Sequence, residues 1–519
     1  MMMAALSHPH KHRHILRLSL RFLLYALSFF FVCFAWWTSD NFGEPPLDQV
    51  LYHLQFGMEG LVDTDAQLIK TFVQFSVLLP LALALLLVAT ESAIGAYLTH
   101  TARHHIYPSA SIVNRSAKRV LKLTYWLISH RAPIYVFAAS ALYFGGQFSV
   151  LAFLHHQFGK DYFAAHYIYP DKVSITPVKP RNLVLIYVES LENTYRDEAL
   201  FQRNLLAGLD QLGGLSFAEF RQAPGTSWTI AGITASQCAI PLKSVSLYDG
   251  NAQGDNIKTF LPSAVCLGDI LHRHGYRNVY MGGDGKTFSG KGMFFKDHHY
   301  HEIYGRDELR NGQRHEELNE WGLFDDALLA RARVKLDQLH QAGQPFNLSI
   351  STIDTHGPWG HLSRLCKSRG ARVFEDVVQC SANQVAEFVQ FIRKRGYLKD
   401  TNVVIMGDHL AMWNPVYENK LEPVEARYVY NRFISSEPHA KNREAILHFD
   451  MLPTILEFIG FRVEGGKLGL GYSALSDNLI LPTAEEYQDM SENLLNESEQ
   501  YLQLWRQRED TSQAVTSAP

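Results

Sequence analysis

Three side chains that could bind a metal close short apolar runs lying far apart in the chain. Glu189 ends LVLIYVES, and Asp408 with His409 ends NVVIMGDH. A further run, FNLSISTIDTH, ends on Asp354 and His356. In open α/β sheets, ligands sit beyond the carboxyl ends of the strands. Glu189, Asp408 and His409 are therefore expected to converge on one point. Their oxygen and nitrogen donors suit one divalent cation of the Mn2+, Zn2+ or Mg2+ type better than Ca2+. Any one of these groups alone would be read as a turn or a cap, but three at strand ends predict a metal centre.

The stretch PGTSWTIAGITASQC (Pro224 to Cys238) supplies hydroxyls at a helix start. Ser and Thr there ordinarily cap the free N–H groups of the first turn. Beside a metal with open positions, a Thr hydroxyl would instead lose its proton far more readily than in water. The helix N-terminus would also favour a phosphate. Thr226 is thus the expected covalent nucleophile and fourth metal ligand. Thr229, one turn on, is the alternative, its hydroxyl expected to bond within the helix.

The elements that must position these groups alternate. LVLIYVES, YRNVYMGG, FNLSISTIDTH and NVVIMGDH are separated by helical stretches. That is the pattern of an α/β domain with a mainly parallel sheet and helices on both faces. It is expected to occupy 183–484, with a polar, initially helical tail over 485–519. Before it, 156–182 contains YPDKVSITPVKPRN and reads as an extended linker.

The N-terminal 1–155 reads as a membrane domain. Apolar stretches at about 15–37, 72–98 and 133–154 each reach the roughly 20 residues that cross a bilayer. Lys11, Arg13, Arg17 and Arg21 precede the first, and Arg103, Arg115, Lys118, Arg119, Lys122 and Arg131 separate the second and third. The loop between the first two carries Asp40, Glu44, Asp48, Glu59, Asp63 and Asp65 against Lys70. By the positive-inside rule the N-terminus is cytoplasmic and everything beyond the third span lies outside. Cys238, Cys266, Cys366 and Cys380 then share a compartment that permits disulfides. Neighbour pairing, Cys238–Cys266 and Cys366–Cys380, is the simplest of three connectivities. Cys33 lies within the first span. The net charge of −4 points to no nucleic-acid partner.

The order of Glu189 at a first strand end, a Thr at a helix start, His356 in DTHGP and Asp408-His409 in GDH resembles the alkaline phosphatase/sulfatase superfamily. FDMLPTILEFIG (Phe449 to Gly460) resembles the helix near the end of that fold. The Cys/Ser-x-Pro-x-Arg pattern of true sulfatases is absent, which argues against sulfate-ester hydrolysis. YVESLENTYRD, PGTSWTIAGITASQCAIPL, CLGDIL, WGLFDD and GDHLAM look like the membrane-anchored, phosphoglycerol-transferring branch. The resemblance implies an enzyme of the inner membrane with its catalytic domain in the periplasm. It implies transfer of sn-glycerol 1-phosphate from phosphatidylglycerol to a periplasmic glucan, through a phosphoglyceryl-threonine intermediate and with release of diacylglycerol. It also implies one cation, usually Mn2+, among Glu189, Thr226, Asp408 and His409.

Related lipoteichoic acid synthases carry Asp-x-Lys-Thr-Phe-x-x-Arg, matched here by DGKTFSGK. That match implies Asp284 and Lys291 near the glycerol phosphate, with His356 on the phosphoryl or leaving oxygens. Lys291 stands for Arg, Ser289 for Trp and Gly282 for His. Long members of the branch carry a further C-terminal region, so the acceptor is left open. A phosphoethanolamine transferase, a polyglycerophosphate synthase and a catalytically dead sensor remain as alternatives.

Overall fold

The computed structural model describes residues 8–43, 45–47, 49–51, 66–104, 112–243, 259–310, 317–319, 321–477 and 479–506. The chain divides into two compact units, Met1–Leu47 with Ala66–Ala152, and Asp48–Asp65 with Phe153–Pro519.

The first unit is helical where described. Helix α1 (His8–Phe42) packs against α2 (Leu79–His104) and α3 (Ile112–Gln147). Ile15–Phe42 and Leu68–Tyr97 are long and apolar enough to cross a membrane. The third expected span, 133–154, is not one helix. Helix α3 runs from Ile112 through Pro133 and stops at Gln147, and α4 (Val150–His156) leaves at 64°. Gly145, Gly146 and Ser149, which has φ 51, account for the break. The bent pair is a third span only if its two pieces are taken together. Arg21 of α1 pairs with Glu91 of α2, which also accepts from the Tyr25 hydroxyl at 2.6 Å, so these two charges answer each other in an apolar setting.

The second unit is built on strands β1 (Ile175–Pro177), β2 (Asn182–Val188), β3 (Glu219–Arg221), β4 (Arg277–Gly282), β5 (Glu302–Tyr304), β6 (Phe346–Ser351), β7 (Thr401–Gly407), β8 (Asn431–Ile434), β9 (Ala445–Leu447) and β10 (Phe461–Val463). A six-stranded sheet has the order β5-β4-β6-β2-β7-β8, parallel except for β8. Its central strands β2, β6 and β7 are buried almost throughout because both faces are covered. Side chains alternate across β2. Leu183, Leu185 and Tyr187 enter one core with α5 (Thr229–Cys238), while Val184, Ile186 and Val188 enter the other with α6 (Asp325–Ala342). The short α7 (Arg364–Ser368) leads into α8 (Phe374–Lys394) on the second face, and α9 (Met451–Phe458) packs on the first. This is the α/β architecture that the strand pattern implies.

Both expected boundaries of this domain move outward. Residues 156–182 are not an extended linker: Tyr162, Phe163 and Tyr167 are buried in the first core, and β1 pairs with β10. At the other end, helices Ala484–Asn493 and Glu499–Trp505 bring Met490, Leu494, Tyr501 and Leu504 into the same core. Burial of these apolar side chains overrides the Pro-rich and polar character of their neighbours. Phe163 meets Tyr501 edge-on, ring centroids 5.4 Å apart. Cys238, at the end of α5, is bonded to Cys266, and Cys366 of α7 to Cys380 of α8. Cys33 is free.

Candidate active site

Strands β2 and β7 run side by side with Val188 opposite Gly407. The next residue on each, Glu189 and Asp408, is therefore carried to the same sheet edge despite the long stretch of chain between them. His409 Nε2 lies 3.4 Å from Glu189 Oε1 and 3.6 Å from Asp408 Oδ2, and all three side chains are fully buried. Loop contacts aim the acids. Ser190, in the left-handed region at φ 53, donates its N–H to Asp408 Oδ1 at 2.8 Å and its hydroxyl to Glu189 Oε1 at 2.7 Å. From the end of β6, the Thr352 hydroxyl accepts the Glu189 N–H at 3.1 Å and the Thr355 hydroxyl donates to the Glu189 carbonyl.

The hydroxyl that joins this cluster belongs to Thr229, not Thr226. Gly225, at φ 72, turns the chain, and Trp228 is still extended at φ −147, so α5 begins only at Thr229. Thr229 Oγ1 donates to Glu189 Oε2 at 3.1 Å. Thr226, expected to open the helix, lies before it, buried, with its hydroxyl donated to the Ala223 carbonyl at 2.7 Å. One turn into the helix, a Cβ on Gly232 would sit 1.9 Å from the Asp408 carbonyl oxygen. Glycine is what lets α5 come this close to the end of β7.

The donor set fits a divalent cation. Asp408 Oδ2 and His409 Nε2 are buried and have no hydrogen-bond partner among the described residues. Such groups are costly unless something binds them. Glu189, Asp408, His409 and Thr229 offer carboxylate, imidazole and hydroxyl donors, a mixture suited to Mn2+, Zn2+ or Mg2+. Charge within the cluster is strongly coupled. Burial would raise the Glu189 carboxyl, but its contact with His409 and the charge of His409 hold it well below the usual range. Burial and the Glu189 charge push Asp408 up. Against burial, Asp408 and Glu189 raise His409 to about 9. A metal needs His409 neutral and Asp408 ionised, so loading would release protons.

Around this centre, Lys291 and Asp284 form a buried ion pair. Burial lowers Lys291 to about 8, opposed by the charges of Glu189 and Asp408. His356 is held neutral mainly by burial, against the pull of Glu189, and its Nδ1 meets the Gly357 carbonyl at 2.7 Å. Its ring lies against Trp321, centroids 4.2 Å apart. Asp354, on the same strand end, is engaged elsewhere. Its Oδ2 accepts the Asp325 N–H at 3.1 Å and its Oδ1 the Asn319 amide at 3.2 Å. Asp325 in turn accepts from the N–H groups of Ile353 and Asp354 and from the Ser381 hydroxyl.

Two supporting residues escaped the reading of the sequence. Gly232 had a visible signal, a glycine inside a helical stretch. His448, whose Nε2 lies 2.8 Å from the Asp408 carbonyl, had none, because a lone histidine has no pattern.

Residues 181–461 match the family model described as Sulfatase. Among curated proteins, phosphoglycerol transferase I of Shigella flexneri is 36% identical over 357 residues, covering 66% of this chain and 45% of its own length. Phosphoglycerol transferase I of Escherichia coli O139:H28 matches equally, 36% over 358 residues with the same two coverages. The chain thus spans under half the length of these curated relatives. Solved structures with a similar chain course include the lipoteichoic acid synthase LtaP from Listeria monocytogenes, at TM-score 0.48 and 16% identity over 64% of this chain and 97% of that one. Another is the phosphoglycerol transferase GacH from Streptococcus pyogenes in complex with sn-glycerol-1-phosphate, at TM-score 0.40 and 12% identity over 63% and 87%. With the family match extending over more than half of its residues, this chain belongs to the sulfatase family.

Proposed function

We propose that this protein is a membrane-anchored, metal-dependent phosphoglycerol transferase with Thr229 as its nucleophile. The observation that carries the reading is the Thr229 hydroxyl, at the start of α5, hydrogen-bonded to a carboxylate of the buried Glu189/Asp408/His409 cluster. The names of the 36% identical relatives support glycerophosphate as the transferred group. The donor is phosphatidylglycerol, the acceptor a periplasmic glucan and the cation Mn2+. The loop charges support a cytoplasmic N-terminus and a catalytic domain on the periplasmic face of the inner membrane.

When bound, the cation would acidify the threonine hydroxyl and neutralise charge on the phosphoryl oxygens. Thr229 Oγ1 attacks phosphorus and passes its proton to Glu189. The bond to the diacylglycerol oxygen breaks and that oxygen takes a proton from solvent, while neutral His356, its Nδ1–H on the Gly357 carbonyl, keeps a lone pair at Nε2 for the next step. The N–H groups at the start of α5 face the anion. Lys291, oriented by Asp284, holds the glycerol phosphate. In the second half-reaction an acceptor hydroxyl gives its proton to His356 and attacks phosphorus, and Thr229 recovers its own proton from Glu189. Ping-pong kinetics follow.

The test is purified full-length protein with headgroup-labelled phosphatidylglycerol and Mn2+. Diacylglycerol should be released, label should move to added glucan, and without acceptor a phosphoglycerol mass shift should appear on Thr229. Turnover of phosphatidylethanolamine in preference to phosphatidylglycerol would overturn the donor assignment.

A further inference from the structure

The loop that follows His356 is basic and carries exposed apolar side chains. Between Asp354 and Glu375 there is no acidic residue, while Arg364, Lys367, Arg369 and Arg372 all fall there. Three apolar side chains of the same loop face outward: Trp359 is 69% exposed, Val373 55% and Leu365 37%. Arg369 pairs with Glu387 at 2.9 Å. Arg364, Lys367 and Arg372 are exposed, and the Arg372 guanidinium is fixed by bonds to the carbonyls of Lys367 and Ala371.

The loop is also held in shape. Cys366 is bonded to Cys380 of α8, and these two cysteines with Ala371 form a small core of their own, against which Leu362 packs. A loop fixed from below yet showing Trp, Leu and Val among cations has not buried what it could. Exposed apolar side chains in one patch mark an interaction site. Basic residues interleaved with Trp and Leu match an anionic bilayer surface, where the indole sits at headgroup level and the cations meet the phosphates. A polyanion in solution would be met by the basic side chains without the apolar ones.

We propose that residues 359–373 seat on the surface of an anionic lipid bilayer, beside His356, and so present lipid headgroups to the metal cluster. This rests on the reading that the donor is a bilayer lipid. The loop is not itself catalytic, and it makes a second membrane contact in addition to the N-terminal spans.

Two measurements on the full-length protein test it. The first uses nanodiscs that contain brominated phosphatidylglycerol, with the signal of Trp359 taken as the difference between wild type and Trp359→Phe. Quenching of that signal, lost in pure phosphatidylcholine discs, is expected. A Trp359 signal as bright in brominated as in unbrominated phosphatidylglycerol discs would overturn the proposal.

The second compares donors. Arg364→Glu with Lys367→Glu should lower turnover of long-chain phosphatidylglycerol in bilayers by about tenfold or more, at roughly fivefold per basic residue. Turnover of short-chain phosphatidylglycerol below its micellar concentration should stay within about twofold. Equal losses with both donors, or a change confined to the KM of the acceptor, would place the loop in a substrate pocket and overturn the bilayer assignment. If wild type used neither donor, the phosphoglycerol reading would fall, while the quenching result would still decide the loop.

Discussion

Two buried groups of acids lie at the carboxyl ends of neighbouring strands, and they are finished differently. Around Asp325 and Asp354, the carboxylate oxygens are met by three N–H groups, an amide and a hydroxyl. Around Glu189 and Asp408, Asp408 Oδ2 and His409 Nε2 have no hydrogen-bond partner among the described residues. Burial penalises both groups alike, so the difference lies in who answers the charge. A closed circle of donors braces a loop, whereas an open circle of ligand atoms is suited to a cation. Burial and composition alone would not have told them apart.

The hardest test of that contrast is the nucleophile. Thr229→Ala should lower turnover by about a thousandfold or more, since the residues of such a unit act together. Metal content and fold should be retained, and Thr229→Ser should keep part of the activity. Wild-type headgroup transfer by Thr229→Ala would break the assignment.

The closed group should reveal itself in pH. Burial pushes Asp325 from 3.8 up to about 6. The folded state therefore holds this proton more tightly than the unfolded chain. Stability from this group is full below about pH 4, falls as pH rises to about 6 and is then level. The loss is on the order of 3 kcal/mol. Asp325→Asn should reduce that slope, leaving the share of Asp354, whose carboxyl burial and the Asp325 charge raise well above 3.8, read as unfolding midpoints across pH 4 to 7. An unchanged slope in the variant would assign it to another group.

Slightly smaller is the effect of metal on stability. Mn2+ at about a hundred times its Kd should stabilise wild type by about 2.7 kcal/mol. Asp325→Asn should respond equally and Asp408→Asn hardly at all. A full response from Asp408→Asn, measured as a melting shift, would move the cation elsewhere.

The smallest effect belongs to Thr226→Ala. It should cost about 1 kcal/mol for the lost hydrogen bond to Ala223 and leave turnover within about twofold. A larger loss of activity would return Thr226 to the chemistry.

The centre was legible where chemistry coincides with the end of a strand. Glu189, Asp408 and His409 stand directly after unbroken apolar runs, and parallel pairing brings such ends together. The hydroxyl that meets Glu189 lies three residues beyond the expected one for a local reason. Gly225 and Thr226 carry the signature of a helix cap, but Gly225 spends its freedom on a turn that returns toward Leu242, whose N–H it accepts at 3.0 Å. Only the fold shows that the helix waits until Thr229. The closed acid pair escaped notice because Asp325 lies at the start of a helix, where an acidic residue is expected in any case. The linker was misread because Pro and polar residues outweighed Tyr162, Phe163 and Tyr167 on the page, whereas burial outweighs them in the fold.

The contact of Phe163 with Tyr501 brings the first and last described parts of the second unit together. A fragment cut at 183 and 484 would lose side chains from its main core and should aggregate. One cut near 157 and 506 would keep its seam closed. Neighbouring ends also make this unit a candidate for circular permutation, with the old ends joined by a short linker and new ones opened in an exposed loop.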